Sequence, residues 1–349
     1  MADAEGTPLR WGVLAPTAMI ARLAVVPALQ TSTSATIVAA ASLSGDRSSP
    51  DLAGLGGDVA FYRSYDSLLG DPNVEAVYIP LPNSLHLQWV EASLAAGKHV
   101  LCEKPLAVSA SDAETMARAA SAAGLVLLEA YMTPFHPRSR SIADVVAHGV
   151  LGEPRLAHAV FAGRLDRPGN HRWDPSMGGG ALFDLGIYCI APLLAFGGGE
   201  PESVAAAALR GSDAGRGRGD GEEREDGQVE VDASFAGLLR FECGLLATFS
   251  CSFDSAERQR VDLMGSAGSL SVERAFTPGA TDTSYIRRGA GDVAEDCHVG
   301  GGEMYRLMVD EFAAVVAGVK PALHPLASTI AVARTVDRLR AAAGIAPAL

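Results

Sequence analysis

A chain of 349 residues, 48% hydrophobic and 20% charged, has the composition of a folded globular protein with room for two separate cores. Its formal net charge of −13 argues against nucleic acid or an anionic membrane surface as the main partner. It leaves room for an anionic cofactor, because local amides and single arginines suffice to bind phosphates.

The first 130 residues alternate strand and helix signals, the pattern of a parallel sheet with crossover helices. Leu9 to Leu14 reads as a strand and is followed by a helix through Gln30. Thr36 to Ser42 is a second strand, Phe61-Tyr62 lies in a short third, and Asp66 is placed to cap a brief helix, Ser67 to Leu69. Val74 to Ile79, His99 to Cys102 and Leu125 to Ala130 complete the strands. Helices are expected from Leu85 to Ala96, stopped by Gly97, and from Ser109 to Ala123. This is a doubly wound dinucleotide-binding unit, residues 1–130.

After Glu129 the character changes. Arg155 to Gly163, Val229 to Phe235, Leu238 to Phe241, Leu245 to Phe253 and Val261 to Met264 look like antiparallel strands. Gly265-Ser266-Ala267-Gly268 reads as a hairpin turn before Ser269 to Val272. Residues 131–349 are therefore expected to form an α+β substrate-binding and dimerisation domain, with an open, mostly antiparallel sheet and helices on one face. Residues 211–227 are almost devoid of apolar groups and read as a mobile loop. Leu326 to Ala343 has helical spacing.

Cys102, Cys189, Cys243, Cys251 and Cys297 are odd in number and lack any Cys-x-x-Cys, which suits free thiols in a reducing compartment. Met1 to Arg10 lacks the apolar core of a signal peptide, and no run of about 18 apolar residues is apparent. A cytoplasmic protein with no membrane partner is expected. No set of histidines and acids has metal-ligand spacing, so no metal is expected.

Two segments carry chemistry. Glu103-Lys104-Pro105 delivers a lysine at the carboxyl end of a strand, where open α/β sheets build their sites. About eighty residues later, Gly178-Gly179-Gly180 precedes Asp184 and Tyr188, which share one face of a helix. An ammonium near a phenol lowers the phenol pKa from about 10 and fits it to exchange a proton with a hydroxyl while hydride moves to or from a cofactor.

The turn after the first strand is atypical for a dinucleotide fold. A G-x-G-x-x-G/A run would let the backbone approach a pyrophosphate, but here only Gly12, Ala15 and Ala21 have the expected smallness, and Pro16 removes a donor. The Thr17, Ala18 and Met19 amides and the Thr17 hydroxyl at the helix amino end remain candidates for phosphate, with Ile20 beside them in the cofactor site. Ser42 to Arg47 has no acid at the strand terminus. Ser42 and Arg47 suit a 2′-phosphate, so NADP(H) is favoured over NAD(H), with Asp46 as the competing ribose contact.

Taken together, Val77 to His86, Gly97 to Pro105, the glycine run with Asp184 and Tyr188, and Leu239 to Ser250 resemble the Gfo/Idh/MocA oxidoreductase family along the whole chain. The resemblance implies that Lys104 lies beside the nicotinamide. It also implies that Leu81, Pro82, Asn83 and His86 line the cofactor pocket and that Glu103 contacts the nicotinamide-side ribose. Many members have histidine where this chain has Tyr188. Tyrosine resembles the branch of glucose–fructose oxidoreductase, dihydrodiol dehydrogenase, xylose dehydrogenase and deoxysugar ketoreductases, in which tyrosine is the acid/base and lysine supports it. The family commonly dimerises through the open sheet. Tyr131, His136, Arg172 and Trp173 are further candidates for contact with a carbohydrate-like substrate, packing being the alternative for Tyr131, His136 and Trp173. Rival readings are an NAD-dependent glycosidase of the same fold and a non-catalytic NADP-binding regulator.

Overall fold

The computed structural model describes residues 7–43, 54–56, 58–166, 169–211, 230–289 and 293–346. Asp46, Arg47 and all but Gly211 of the loop expected at 211–227 lie outside these residues. The chain divides into two compact units. One comprises residues 1–107, 111–136 and 303–326, the other residues 108–110, 137–302 and 327–349.

The first unit holds β1 (Leu9–Leu14), β2 (Ala35–Ala41), β3 (Ala60–Tyr62), β4 (Ala76–Ile79), β5 (His99–Glu103) and β6 (Leu127–Ala130) in the order β3-β2-β1-β4-β5-β6, all parallel. Strand order reverses between β1 and β4, the point where such sheets open a crevice at their carboxyl ends. Trp11, Val13, Leu14, Val77, Tyr78, Ile79, Val100 and Leu101 are fully buried. Strands covered on both faces read as unbroken apolar runs, which is why this half was legible.

The crossovers include α1 (Val26–Thr31), α2 (Tyr65–Leu69), α3 (His86–Ala95) and α4 (Ala110–Ala123). Asp66 lies inside α2 rather than capping it, because Ser64 is the extended residue before the helix. After α5 (Pro137–Ala147) and α6 (Ile187–Gly197), which belong to the second unit, the unexpected α7 (Met304–Val316) returns to the first. Its Phe312 ring meets Trp11 at 4.8 Å, and its Asp310 accepts the Ser32 hydroxyl at 2.6 Å.

The second unit is built on β7 (Pro154–Ala162), β8 (Ser203–Gly211), β9 (Val231–Arg240), β10 (Leu246–Ser252), β11 (Arg258–Gly265), β12 (Ser269–Glu273), β13 (Thr283–Arg288) and β14 (Ala294–Val299). Their order is β14-β13-β12-β11-β7-β10-β9-β8, antiparallel throughout except for the pair β7 and β10. The two strands expected on either side of Ala236-Gly237 are one. Gly237 is needed there because a side chain would overlap the Phe249 ring on β10. β8, β13, β14 and α5 were also not foreseen.

One face of this sheet is dry: Ala157, Ala159, Leu239, Ala247, Phe249, Val261 and Leu263 are buried. The opposite face exposes Leu156, Leu209, Leu238, Leu246 and Met264. Pro175–Gly197 is long and apolar enough to cross a membrane by length and composition, which the sequence reading overlooked. In this fold it is a core helix, with Leu182, Phe183, Ile187, Cys189, Ile190 and Leu193 all buried.

Candidate active site

In the first unit, β1 ends in a turn whose pivot is Ala15, at φ +44°. Left-handed backbone costs an alanine roughly 1–2 kcal/mol, so Ala15 does at some expense what a fingerprint glycine does freely. Its amide is tied to the Ala41 carbonyl at 2.9 Å. Gly12 is small for packing: a side chain there would lie 3.1 Å from Val74 and closer still to Leu68. Met19, 39% exposed, opens a helix whose next turn, Ala21–Val25, is wound as a π turn, a feature frequent at functional sites. Ala15, Thr17, Ala18 and Ile20 are half-buried. Ser42 is enclosed, and its amide donates to the Tyr62 carbonyl at 3.1 Å.

At the carboxyl ends of β4 and β5, Glu103 is buried and accepts the Tyr78 hydroxyl at 2.7 Å and the Lys104 amide at 3.2 Å. Burial and the facing Glu103 carboxylate push the Tyr78 phenol well above its usual pKa, so Tyr78 is a fixed donor. Lys104 is half-buried directly beyond. Leu81 is buried, and Pro82 and Asn83 are half-buried. His86 is fully buried, with Nδ1 2.9 Å from the Pro105 carbonyl and Nε2 2.8 Å from that of Leu81. Burial lowers the His86 pKa and favours the neutral ring, whose single N–H donates to one of these carbonyls, so His86 ties the two loops together at a fully enclosed position. Tyr131 and His136 are enclosed, Tyr131 against the His324 ring at 5.2 Å. Such a parallel sheet, with a left-handed turn after β1 and a helix amino end, fits a dinucleotide.

In the second unit, Asn170 caps a short 3-10 turn by accepting the Arg172 amide at 3.0 Å, and Asp174 caps the next through Ser176 at 2.8 Å. The serine bonds hold the Asp174 carboxyl below the usual carboxylate range. Gly178, at φ +73°, closes that turn. Gly179 and Gly180 then lead into Leu182–Gly186, again a π turn, which continues directly into α6. The spacing of Asp184 and Tyr188 therefore straddles a change of helix pitch. Arg172 Nε lies 2.9 Å from Asp184 Oδ2, both groups being partly exposed. Tyr188 is 6% exposed, its ring set against Phe161 at 5.3 Å and Phe276 at 5.9 Å. Trp173 packs edge-on to Phe253 at 5.2 Å and donates to the Leu165 carbonyl, so it is an anchor rather than an open stacking surface.

Sequence reasoning missed the residues that hold these groups: Tyr78 for Glu103, Phe161 and Phe276 for Tyr188, and Asp232. The last is a buried carboxylate on β9 that accepts the Leu182 amide at 2.6 Å. Burial pushes its pKa up to about 6 against the pull of that amide and of Arg340. A carboxyl raised in the fold favours the folded state most below its unfolded pKa of about 4. That contribution disappears as pH rises through about 6, so at neutral pH the Asp232 charge is held at a cost.

Comparison with known proteins gives a consistent picture. A family model described as "Oxidoreductase family, NAD-binding Rossmann fold" matches residues 19–131, and one described as "GFO/IDH/MocA C-terminal domain" matches residues 139–271. The dTDP-3,4-didehydro-2,6-dideoxy-alpha-D-glucose 3-reductase of Actinomadura kijaniata is 34% identical over 91% of each chain. The D-xylose 1-dehydrogenase (NADP(+)) 2 of Haloferax volcanii is 33% identical over 95% of this chain and 96% of its own. A crystal structure of KijD10, a 3-ketoreductase from Actinomadura kijaniata, in complex with NADP and TDP-benzene, superposes with a TM-score of 0.85 at 31% identity, covering 96% of this chain and 97% of that one. KijD10 has also been solved with a tyrosine replaced by phenylalanine and with a lysine replaced by alanine or glutamate.

Proposed function

This chain belongs to the Gfo/Idh/MocA oxidoreductase family, and we propose that it moves hydride between NADP(H) and a hydroxyl or keto group of a sugar or sugar-like substrate, with Tyr188 as acid/base. It is an NAD(P)-dependent oxidoreductase with an N-terminal Rossmann fold. The observation that carries the finer reading is Lys104, standing at the carboxyl end of β5 immediately after a glutamate that Tyr78 fixes.

When bound, the nicotinamide supplies or accepts the hydride. In the oxidative direction the Tyr188 oxygen takes the hydroxyl proton, and in the reductive direction its O–H returns that proton to the alkoxide oxygen. Lys104 supports the anionic form of the phenol as a cation. Asp184, oriented by Arg172, accepts a hydrogen bond from a neighbouring hydroxyl and sets the substrate's orientation. The amides of Thr17 and Met19 and the Thr17 hydroxyl would hold the pyrophosphate, with Gly12, Ala15, Ala18 and Ile20 shaping the turn around them. Ser42 is assigned to the adenosine side, and Leu81, Pro82, Asn83 and Glu103 to the nicotinamide side; Arg47, a candidate for the 2′-phosphate from the sequence, lies outside the described residues. His86 is assigned to holding these loops together. In KijD10 the replaced lysine and tyrosine stand as far apart in sequence as Lys104 and Tyr188 do here, which supports their pairing. The preference for NADP(H) is supported by the NADP bound in that structure and by the NADP(+)-dependent xylose dehydrogenase.

The test is a fluorescence titration with NADPH and NADH, followed by keto-sugars, aldoses and trans-diols assayed by absorbance of the reduced nicotinamide. Tighter binding of NADPH and turnover of at least one polyhydroxylated substrate are expected. Failure of both nucleotides to bind would overturn the reading. Glycoside cleavage without net absorbance change would favour the glycosidase, and binding without any turnover the regulator.

The open sheet face is assigned to a second copy of this chain. In neighbouring strands Leu246 pairs with Leu156 and Leu156 with Met264, giving an exposed apolar row. Beside it lies a shallow cavity of about 440 Å³ lined by Val160, Ala207, Ala236 and Ser250 among others. Light scattering should give a dimer mass for the native chain and a monomer mass for Leu156→Glu/Leu238→Glu. A monomeric native chain would exclude the dimer. A cytoplasmic location completes the proposal and accords with five free cysteines.

A further inference from the structure

Asp232 lies 48 residues beyond Asp184 in sequence, yet its carboxylate meets the start of the segment that carries Asp184 and Tyr188. Oδ2 accepts the Leu182 amide at 2.6 Å, and the amides of Ala181 and of Asp232 itself also face the carboxylate. The helix begins around this group: a side chain at Gly180 would overlap Oδ1 and come within 3.0 Å of Cγ. Gly180 is itself at φ +122°, a conformation that glycine adopts freely. The last glycine of the run is thus shaped to the acid.

An amide would cap a helix almost as well as an acid, and without the cost of a buried charge. A carboxylate at the positive end of a helix adds an electrostatic hold that an amide lacks. The charged and titratable groups that face Asp232 are Arg340 from α8 (Leu326–Ala342) and Cys251 from β10. Arg340 in turn faces Asp337, and Cys251 faces Cys189 and Asp184. The Arg340 guanidinium lies over the Phe183 ring at 4.8 Å, so the cation that faces Asp232 among the described residues packs on the same segment.

We propose that Asp232 is the positioning residue for the segment bearing Asp184 and Tyr188: its carboxylate holds the start of that helix. The consequence for turnover rests on Tyr188 acting as the acid/base; the structural hold does not.

Hydrogen exchange read by mass spectrometry on the full chain tests the hold directly. At pH 7.5 the peptide covering residues 179–188 should lose about fivefold in protection relative to β5 in Asp232→Ala, the worth of one cap. Protection that stays native in Asp232→Ala overturns the proposal. Asp232→Asn keeps an acceptor for the Leu182 amide and should recover most of that protection, which separates loss of the hold from a general failure to fold. kcat of Asp232→Ala should fall several-fold and recover in Asp232→Asn, with KM for NADPH unchanged in both. An Asp232→Ala enzyme with native kcat argues against the proposal. If instead Tyr188→Phe keeps full activity, the acid/base assignment fails while the exchange result stands.

Discussion

Replacing Tyr188 by phenylalanine is expected to lower kcat by about 10²–10⁴-fold, the range for a positioned proton-transfer group. The substitution removes one oxygen and leaves the ring. That ring's contacts, Phe161 at 5.3 Å and Phe276 at 5.9 Å, are edge and tilted aromatic packing that phenylalanine reproduces. Buried as Tyr188 is, the variant should therefore fold and melt close to the native protein. Nucleotide affinity should be unchanged, because the residues assigned to the dinucleotide sit at the carboxyl ends of β1, β4 and β5 in the other unit. Steady-state kinetics with the best substrate, beside a NADPH titration, separates these effects. A native kcat in a well-folded variant would remove Tyr188 from the mechanism. A loss of nucleotide binding would assign it a structural role instead.

What could be read from the amino acids followed from how each element is covered. The strands of the Rossmann sheet are buried on both faces, so their apolar runs mark them unambiguously. The second sheet is covered on one face only, and its edges were missed. β8 is alanine-rich and reads as poorly as a strand as alanine does anywhere, becoming one only by pairing with β9. β13 and β14 are mixed in polarity and depend on each other. α7 was lost for a different reason: its place beside Trp11 is set by a contact spanning most of the chain.

The candidate site divides in the same way. Lys104, Asp184 and Tyr188 stand in runs whose spacing announces them. Their supports do not, because a carboxylate on a strand says nothing of the helix it caps 50 residues earlier. His86 and Trp173 show the converse. Both carry groups that suit a ligand, and both are spent on the protein itself. Ala15 is the subtler case, since the backbone conformation usually given to glycine is kept without it.

The glycine run makes a second large effect predictable. Gly179 is enclosed by main chain rather than by side chains: an added Cβ would overlap the Arg172 carbonyl oxygen and stand 2.8 Å from the carbonyl oxygen of Asp174. Those same carbonyls accept the amides of Gly180 at 2.9 Å and Gly179 at 3.0 Å, bonds that fasten the 170–174 loop to the start of the Tyr188 segment. A side chain at an open site can swing aside, but here the loop must move. It would carry Arg172 away from Asp184 and stretch both fastening bonds. Gly179→Ala should therefore cost about 1–3 kcal/mol of stability, as overpacking does, and raise KM for the substrate more than for NADPH. Gly198→Ala is the control. Gly198 has a left-handed backbone, φ +77°, with nothing within 4 Å of an added Cβ, so it should lose stability through strain alone and keep its KM. Urea denaturation and substrate titration of the two variants side by side read both quantities. If Gly179→Ala matches Gly198→Ala in KM, the loop does not place Arg172 and Asp184 for substrate, and the run of glycines serves the fold alone.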